Sequence, residues 1–479
     1  MKTPICDFVK KYAASETVRM HMPGHKGRGF LGAEALDITE VSGADALYEA
    51  SGIIRESEQN AAELFGTQAT FYGTEGSSQM IRAMLYLAGL LARQRSRITI
   101  LAARNVHRSF VQACALLDYD VEWLYGQDAS CLSCVITPAQ LENALRQACS
   151  LPAAFYITSP DYLGKTADIR ALAAVCHRYG VPLLADNAHG AYLHFLREPQ
   201  HPMDLGADLC CDSAHKTLPV LTGGAYLHVA KAPEGADSGV SSMRKFFSEN
   251  AKSALSLFGS TSPSYLILQS LDHCNAVLSE GYREKLAAFI EKFTAMKKDL
   301  REAGLFIEAS EPLKLTVRAG VLHTDTAEKP AGFTGNFLAA YLREHGIECE
   351  FSDPDFLVLM AGPENTEEEL RKTVSVLREF CIECLRTAKK SGAGPHPLSS
   401  AERVLSIREA VFAPHEMVPV REAVGRIAGS PAVSCPPAIP IVISGERITE
   451  EHRAVFEYYG IEEAEVVLEP YAVPKKDRI

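Results

Sequence analysis

The chain has 479 residues, 47% hydrophobic and 23% charged, and its 48 basic against 60 acidic side chains give a formal net charge of −12. That length holds two or three domains of ~100–200 residues, the composition is that of a globular protein, and the acidic balance argues against nucleic acid or an anionic membrane as main partner. The most apolar stretch, Ala83–Ala92 between Arg82 and Arg93, is too short to span a bilayer, and the opening MKTPICDFVKKY lacks the apolar core and cleavage site of a signal peptide, so a cytoplasmic protein without a membrane partner is expected.

From Ser77 to Val229 the chain alternates amphipathic segments with short apolar ones. SSQMIRAMLYLAGLLARQ (77–94) predicts a helix, RITILAA (97–103) a strand and HRSFVQACALLDY (107–119) a helix. VEWLY (121–125) then predicts a strand, PAQLENALRQAC (138–149) a helix, AAFYITS (153–159) a strand and DIRALAAVCHRYG (168–180) a helix. Two more apolar strands follow, in VPLLADNAHG (181–190) and ADLCCD (207–212). Short strands separated by helices argue for an α/β fold whose mostly parallel sheet is covered on both faces. Ligands in such folds gather at the carboxyl ends of the strands, and Asp186 and Lys216 both fall just past such ends.

Beyond Gly259, PSYLILQSLDHCNAVLSE (263–280) and YREKLAAFIEKFTAMKKDLREAG (282–304) predict long helices that lead out of the sheet domain. Strand-like KLTVRAG and DFLVLMAG lie among amphipathic segments in 305–388, predicting a smaller α/β domain. KKSGAGPHPLSS (389–400) reads as a linker, and a compact third unit follows around CPPAIPIVISGERIT. The expected division is an N-terminal segment 1–30, a large domain 31–280, a small α/β domain 281–390 and a C-terminal domain 391–479. Of the 13 cysteines, two C-x-x-C pairs, Cys131/Cys134 and Cys381/Cys384, lie too far apart in sequence for a zinc site. In this compartment the cysteines read as small buried hydrophobes, and no metal is expected.

Four features point to one chemistry. GTEGSSQM puts Gly76, Ser77 and Ser78 at a helix start, where free N–H groups, hydroxyls and the helix dipole can cradle a phosphate; a serine there is also a good N-cap. Asp186 ends an apolar strand, either starting a turn or pairing with a protonated pyridine nitrogen. Lys216 follows about one strand later, with Ser213 and His215 beside it as phosphate ligands. Desolvating an ammonium is costly, so a lysine at a strand end suits one that must lose its proton and attack a carbonyl. His107, after the strand that follows the Ser77 helix, is either a cap or a ring that lies over a flat cofactor. In this order the set describes a pyridoxal 5'-phosphate (PLP) site.

The chain also resembles, nearly end to end, the Orn/Lys/Arg decarboxylases of the aspartate-aminotransferase-like (fold type I) PLP superfamily. The resemblance rests on MPGHKG (Met22–Gly27), GADAL (Gly43–Leu47), AAELFG (Ala61–Gly66), SPDYLG (Ser159–Gly164), DNAHGA (Asp186–Ala191), SAHKTLPVLTGGAYL and STSPSYLILQSLD. It implies a short form of the family. It also implies that Lys216 carries the cofactor, Asp186 meets the pyridine nitrogen, His107 stacks on the ring and Ala188 packs on the other face. Ser77, Ser78, Ser213 and His215 would contact the phosphate. Ser260 and Thr261 would reach a partner's phosphate across the two-fold axis of a homodimer with shared sites, or of a higher oligomer.

The implied reaction is decarboxylation of a basic amino acid, arginine or lysine favoured and ornithine next, feeding polyamine metabolism. His215 and His189 are both candidates to protonate the α-carbon, and Glu348, Glu350 and Asp353 to read the substrate's distal cation. The third unit departs from the family: Cys435 replaces the usual Tyr, Ala438 a Gly, Ser444 a Pro and Ser430 an acid. These changes are expected to leave the cofactor site untouched and to bear on specificity. An aminotransferase or lyase on the same fold would share Lys216 and Asp186, usually with a late arginine clamp that no motif here identifies. A PLP-binding protein that has lost catalysis is the other alternative.

Overall fold

The computed structural model describes residues 1–126, 132–232, 238–319, 333–387, 400–430 and 438–472. Seven strands form the central sheet: β1 (Ala69–Gly73), β2 (Thr99–Ala103), β3 (Asp120–Leu124), β4 (Ala154–Thr158), β5 (Leu183–Asp186), β6 (Leu209–Asp212) and β7 (Ala225–Val229). Their order is β1-β7-β6-β5-β4-β2-β3. β2 to β6 are parallel, and only β7 runs against its neighbours β6 and β1. The mostly parallel sheet is therefore as expected. β1 lies upstream of the alternating stretch, and β7 is the strand that the glycine turn after Lys216 feeds.

The strands read as unbroken apolar runs because both faces are buried. Ile100, Ala102, Ala154 and Tyr156 pack on one side, against the helices Gly76–Leu91, Arg108–Leu117 and Ser238–Ser256. Leu101, Ala103, Phe155 and Ile157 pack on the other, against Pro138–Gln147 and Ile169–Arg178. Side chains at the carboxyl ends of β4, β5 and β6 consequently open onto one edge.

The two long helices run Tyr265–Ser279 and Tyr282–Glu302. Gly281 parts them at φ +68°, a left-handed conformation in which glycine has no steric cost. Their apolar sides join the N-terminal helix Pro4–Ala13 and a three-stranded antiparallel sheet in one core. That sheet has the order β8-β10-β9, with β8 Lys314–Arg318, β9 Phe351–Ser352 and β10 Phe356–Met360. The expected linker lies outside the described residues except for Ser400.

The third unit pairs β11 (His415–Pro419) with β12 (Glu463–Val467). Arg104, fully buried, ties it to the large sheet by donating to the carbonyls of Pro440 and Ile441, both at 2.9 Å. Among the described residues no helix is long and apolar enough to cross a membrane.

Candidate active site

A cavity of about 420 Å³ opens at the carboxyl edge of β4, β5 and β6. Gly76, Ser77, Ser78, His107, Asp186, Ala188, His189, Ser213, His215 and Lys216 all line it, so ten residues drawn from four separate stretches of sequence converge on one space. Ser260 and Thr261 do not line it; both are exposed, and the Ser260 N–H donates to Glu75 at the cavity rim.

At one end is the start of the helix Gly76–Leu91. Its N-cap is Glu75, whose side chain caps nothing, so Ser77 and Ser78 lie inside the first turn and not at the cap. The Ser78 hydroxyl accepts from Ser109 Oγ at 2.7 Å. The Gly76 N–H is used by Gly223 O at 2.8 Å. Gly223 takes φ +98°, and a Cβ there would sit 2.7 Å from the Thr74 carbonyl, so the turn after Lys216 can pass this close only as glycine. His215 donates from Nδ1 to Gly224 O at 3.0 Å, which fixes its ring beside Gly76.

Asp186, 2% exposed, ends β5. Tyr156 Oη donates to it at 3.0 Å and the Ala188 N–H at 3.2 Å. Burial pushes its carboxyl above the usual range, while Tyr156 and the nearby Lys216 charge pull the other way. Lys216 stands in the single turn Ala214–Thr217 after β6, with Nζ 3.1 Å from His189 Nε2. Burial, then Lys314 and Lys216, hold His189 neutral, well below the ordinary histidine value.

His107 is a helix cap, its Nδ1 accepting the Ser109 N–H at 3.2 Å, and it also lines the cavity. Burial and the Lys216 and Arg108 charges lower it to about 4, so the ring is neutral at pH 7.

Of the three acidic candidates for the distal group, only Glu350 reaches the cavity, accepting from Tyr162 Oη at 2.9 Å. Glu348 pairs with Arg343 at 2.9 Å on the surface. Asp353 folds back onto the N–H groups of Asp355 and Phe356, and burial pushes it up to about 7.

One expectation is corrected. The altered segment of the third unit does not leave the site untouched, because Ala438 and Ile439 line the cavity. Arg104 and the Arg108 N–H, which donates to Ala438 O at 2.8 Å, draw it in. Ala438 adopts φ +57°, which explains why glycine is usual at that position. Ser444 is buried with its hydroxyl unpartnered, and Cys435 lies outside the described residues. Sequence reasoning also missed Asn105 and Thr158. Thr158 ends β4 as Asp186 ends β5, so the strand-end rule that singled out Asp186 applies to it equally.

Beneath the site, Asp212 accepts from Asn187 Nδ2 at 2.7 Å, His201 Nε2 at 3.0 Å and His228 Nε2 at 3.1 Å. His201, Cys210 and Asp212 offer ligand atoms within 4.8 Å of one another. His201 Nδ1, however, accepts the Met203 N–H at 3.2 Å, so its proton sits on Nε2 and points at Asp212. This is a hydrogen-bonded hub and not a ligand set.

A family model described as the major domain of Orn/Lys/Arg decarboxylases matches residues 3–309, and one described as their C-terminal domain matches 399–466. An arginine decarboxylase of Bacillus subtilis is 29% identical over 94% of this chain and 92% of its own length. One of Halalkalibacterium halodurans is 29% identical over 95% and 92%. Among solved structures, the lysine decarboxylase of Francisella novicida superposes with a TM-score of 0.75 at 18% identity, covering 97% of this chain and 81% of the other. A serine palmitoyltransferase of Sphingomonas wittichii does so at 0.55 and 14%, covering 81% and 86%.

Proposed function

The chain belongs to the Orn/Lys/Arg decarboxylase family and is a decarboxylase of basic amino acids on the fold type I scaffold; from that premise we propose that PLP is held in the Lys216 cavity and that arginine or lysine is the favoured substrate, with ornithine next. The arginine decarboxylases among its relatives weigh toward arginine. The observation that carries the reading is the buried carboxylate of Asp186 in the same cavity as Lys216.

The residues present fit such a cofactor. The volume lies within the ~300–1,000 Å³ of small-molecule sites. Asn105 Oδ1, Thr158 Oγ1 and His189 Nδ1 are buried without a hydrogen-bond partner in the protein, and buried polar groups of that kind are costly unless a ligand answers them. Asp186, pushed up by burial, would be answered by a protonated ring nitrogen. The helix start at Gly76–Ser78, with Ser213 and His215, would hold a phosphate. Bound there, PLP supplies the electron sink for the pair left when the α-carboxylate departs.

The protein's own groups do the rest. Lys216 Nζ would carry the cofactor and His107 would cover one ring face, neutral and therefore no competitor for the ring's charge. His215, tied to Gly224 O beside Gly76, belongs to the phosphate end. Delivery of a proton to the α-carbon would then fall to Lys216 Nζ, oriented by the neutral His189 at Nε2. Ala188 would pack on the opposite face, and Ile439 and Tyr162 would exclude water.

The exposed turn at Ser260 and Thr261 is consistent with a homodimer in which that turn completes the partner's site, two-fold dimers being the commonest soluble oligomers. The product amine would feed polyamine synthesis. Reduction of the PLP-loaded protein with borohydride, followed by peptide mapping, should place the pyridoxyl group on Lys216. A label on another lysine would overturn the site.

A further inference from the structure

Resting on the decarboxylase reading above, we infer that Lys314 is a positioning residue for the reaction: from outside the cavity it holds the loop that carries Tyr162, and through Tyr162 the ring of His189, against Lys216. Lys314 is fully buried in β8 of the small sheet. Its Nζ donates to the carbonyls of Asp161 and Tyr162 at 3.0 and 3.2 Å and stands 5.7 Å from the centroid of the Tyr162 ring. The next two carbonyls are taken from the same side. Thr316 Oγ1 donates to Leu163 O at 2.8 Å, and the Glu311 N–H to Gly164 O at 2.7 Å. The approach is this close because residue 164 is glycine: it takes φ +87°, and a Cβ there would sit 2.8 Å from Ser310 Cβ and 3.1 Å from Lys314 Cδ.

The loop passes this hold on to the reacting end. Tyr162 lines the cavity and packs edge-on against His189 with centroids 5.1 Å apart, and His189 Nε2 stands 3.1 Å from Lys216 Nζ. A neutral imidazole accepts from the lysine there, whereas a protonated one would set N–H against N–H. The charged and titratable groups about His189 are Lys314, Lys216, His107 and His215, and after burial Lys314 is the largest influence that keeps its ring unprotonated. Burial lowers Lys314 itself to about 8, with Glu311, Asp161 and Glu350 pulling it up and Lys216 down, so it is charged at pH 7. Lys297 shows what a lysine with a structural role alone looks like in the same core. Burial lowers it to about 8 as well, and Glu311 answers it too. Its donors go to Pro312 O at 2.9 Å and Glu311 O at 3.5 Å, both outside the loop.

The test compares Lys314→Met/Glu311→Gln with Lys297→Met. The double variant removes both partners, so that Glu311 is not left as an unanswered buried charge. In the PLP-free protein, NMR of ring-labelled histidine follows His189, assigned by the signal that His189→Gln lacks. The His189 ring should take up its proton at a higher pH in the double variant than in the wild type, and at the wild-type pH in Lys297→Met. In the PLP-loaded protein the double variant should lose about 10- to 100-fold in kcat with a smaller change in KM. Lys297→Met should stay within about threefold of the wild-type rate. A His189 titration that the double variant leaves unmoved, or a kcat loss no larger than that of Lys297→Met, would overturn the assignment. A wild type that forms no amine from any basic amino acid would overturn the decarboxylase reading and the catalytic consequence drawn from it. The NMR comparison needs neither substrate nor PLP, so the two failures are told apart.

Discussion

The burial that sets His107 in the cavity wall also makes it a liability in acid. Its ordinary value of 6.5 falls to about 4 in the folded chain, through burial first and then the Lys216 and Arg108 charges. Between those values the unfolded chain binds a proton that the folded chain refuses, so stability declines as pH drops from 6.5 toward 4 and levels off below. His189 is shifted in the same direction. His107→Phe keeps a flat ring in place and removes one of these protonation sites. PLP-free His107→Phe should therefore lose roughly 2 kcal/mol less stability than wild type between pH 7 and pH 5, read from urea unfolding at the two pH values. Identical losses would mean that the His107 ring is solvated and does not form the cavity wall. The sequence left His107 open between cap and ring partner, because one side chain can serve a helix start through Nδ1 and still line a cavity.

At the scale of elements, the ends of β5 and β6 are held in register by one carboxylate beneath them. Asp212 binds Asn187, the residue after Asp186, and itself precedes Ser213–Lys216. Burial would raise its carboxyl, but His201 and His228 more than reverse this and hold it below the usual range. Asp212→Asn replaces an acceptor of three donors with a group that must itself donate. At about 1–3 kcal/mol per unsatisfied buried group, a loss of roughly 2–5 kcal/mol and reduced PLP occupancy are expected, measured by denaturant unfolding and by cofactor absorbance. A loss under about 1 kcal/mol would make the hub incidental. The strands themselves were legible because alternation onto two buried faces leaves an apolar run ending in a polar residue. The hub was not, since His228 comes beside Asp212 only once β6 and β7 pair, and His201 arrives separately, as the cap of the short helix Pro202–Leu205.

For the whole molecule, four stretches of sequence could be joined into one site because each ends at the same edge of a parallel sheet, a rule the pattern already carried. What the pattern did not carry is the docking of the third unit, which depends on a buried arginine, Arg104, reaching carbonyls more than 300 positions away. Nor did it show which of three nearby acids faces inward, since that depends on separate partners: Tyr162 for Glu350, Arg343 for Glu348 and the Asp355 N–H for Asp353. Assembly is the remaining scale. Mixing inactive Lys216→Ala with inactive variants disrupted at Thr261 should restore activity, because each mixed dimer would hold one complete site; proven subunit exchange without rescue would rule out shared sites. The central claim is met most directly by mass spectrometry of the products formed when PLP-loaded protein is incubated with arginine, lysine and ornithine. The account predicts the amine lacking one CO₂ from at least one of them, agmatine or cadaverine foremost, and none from Lys216→Ala. A 2-oxo acid in place of the amine, or no product from any of the three, would contradict it.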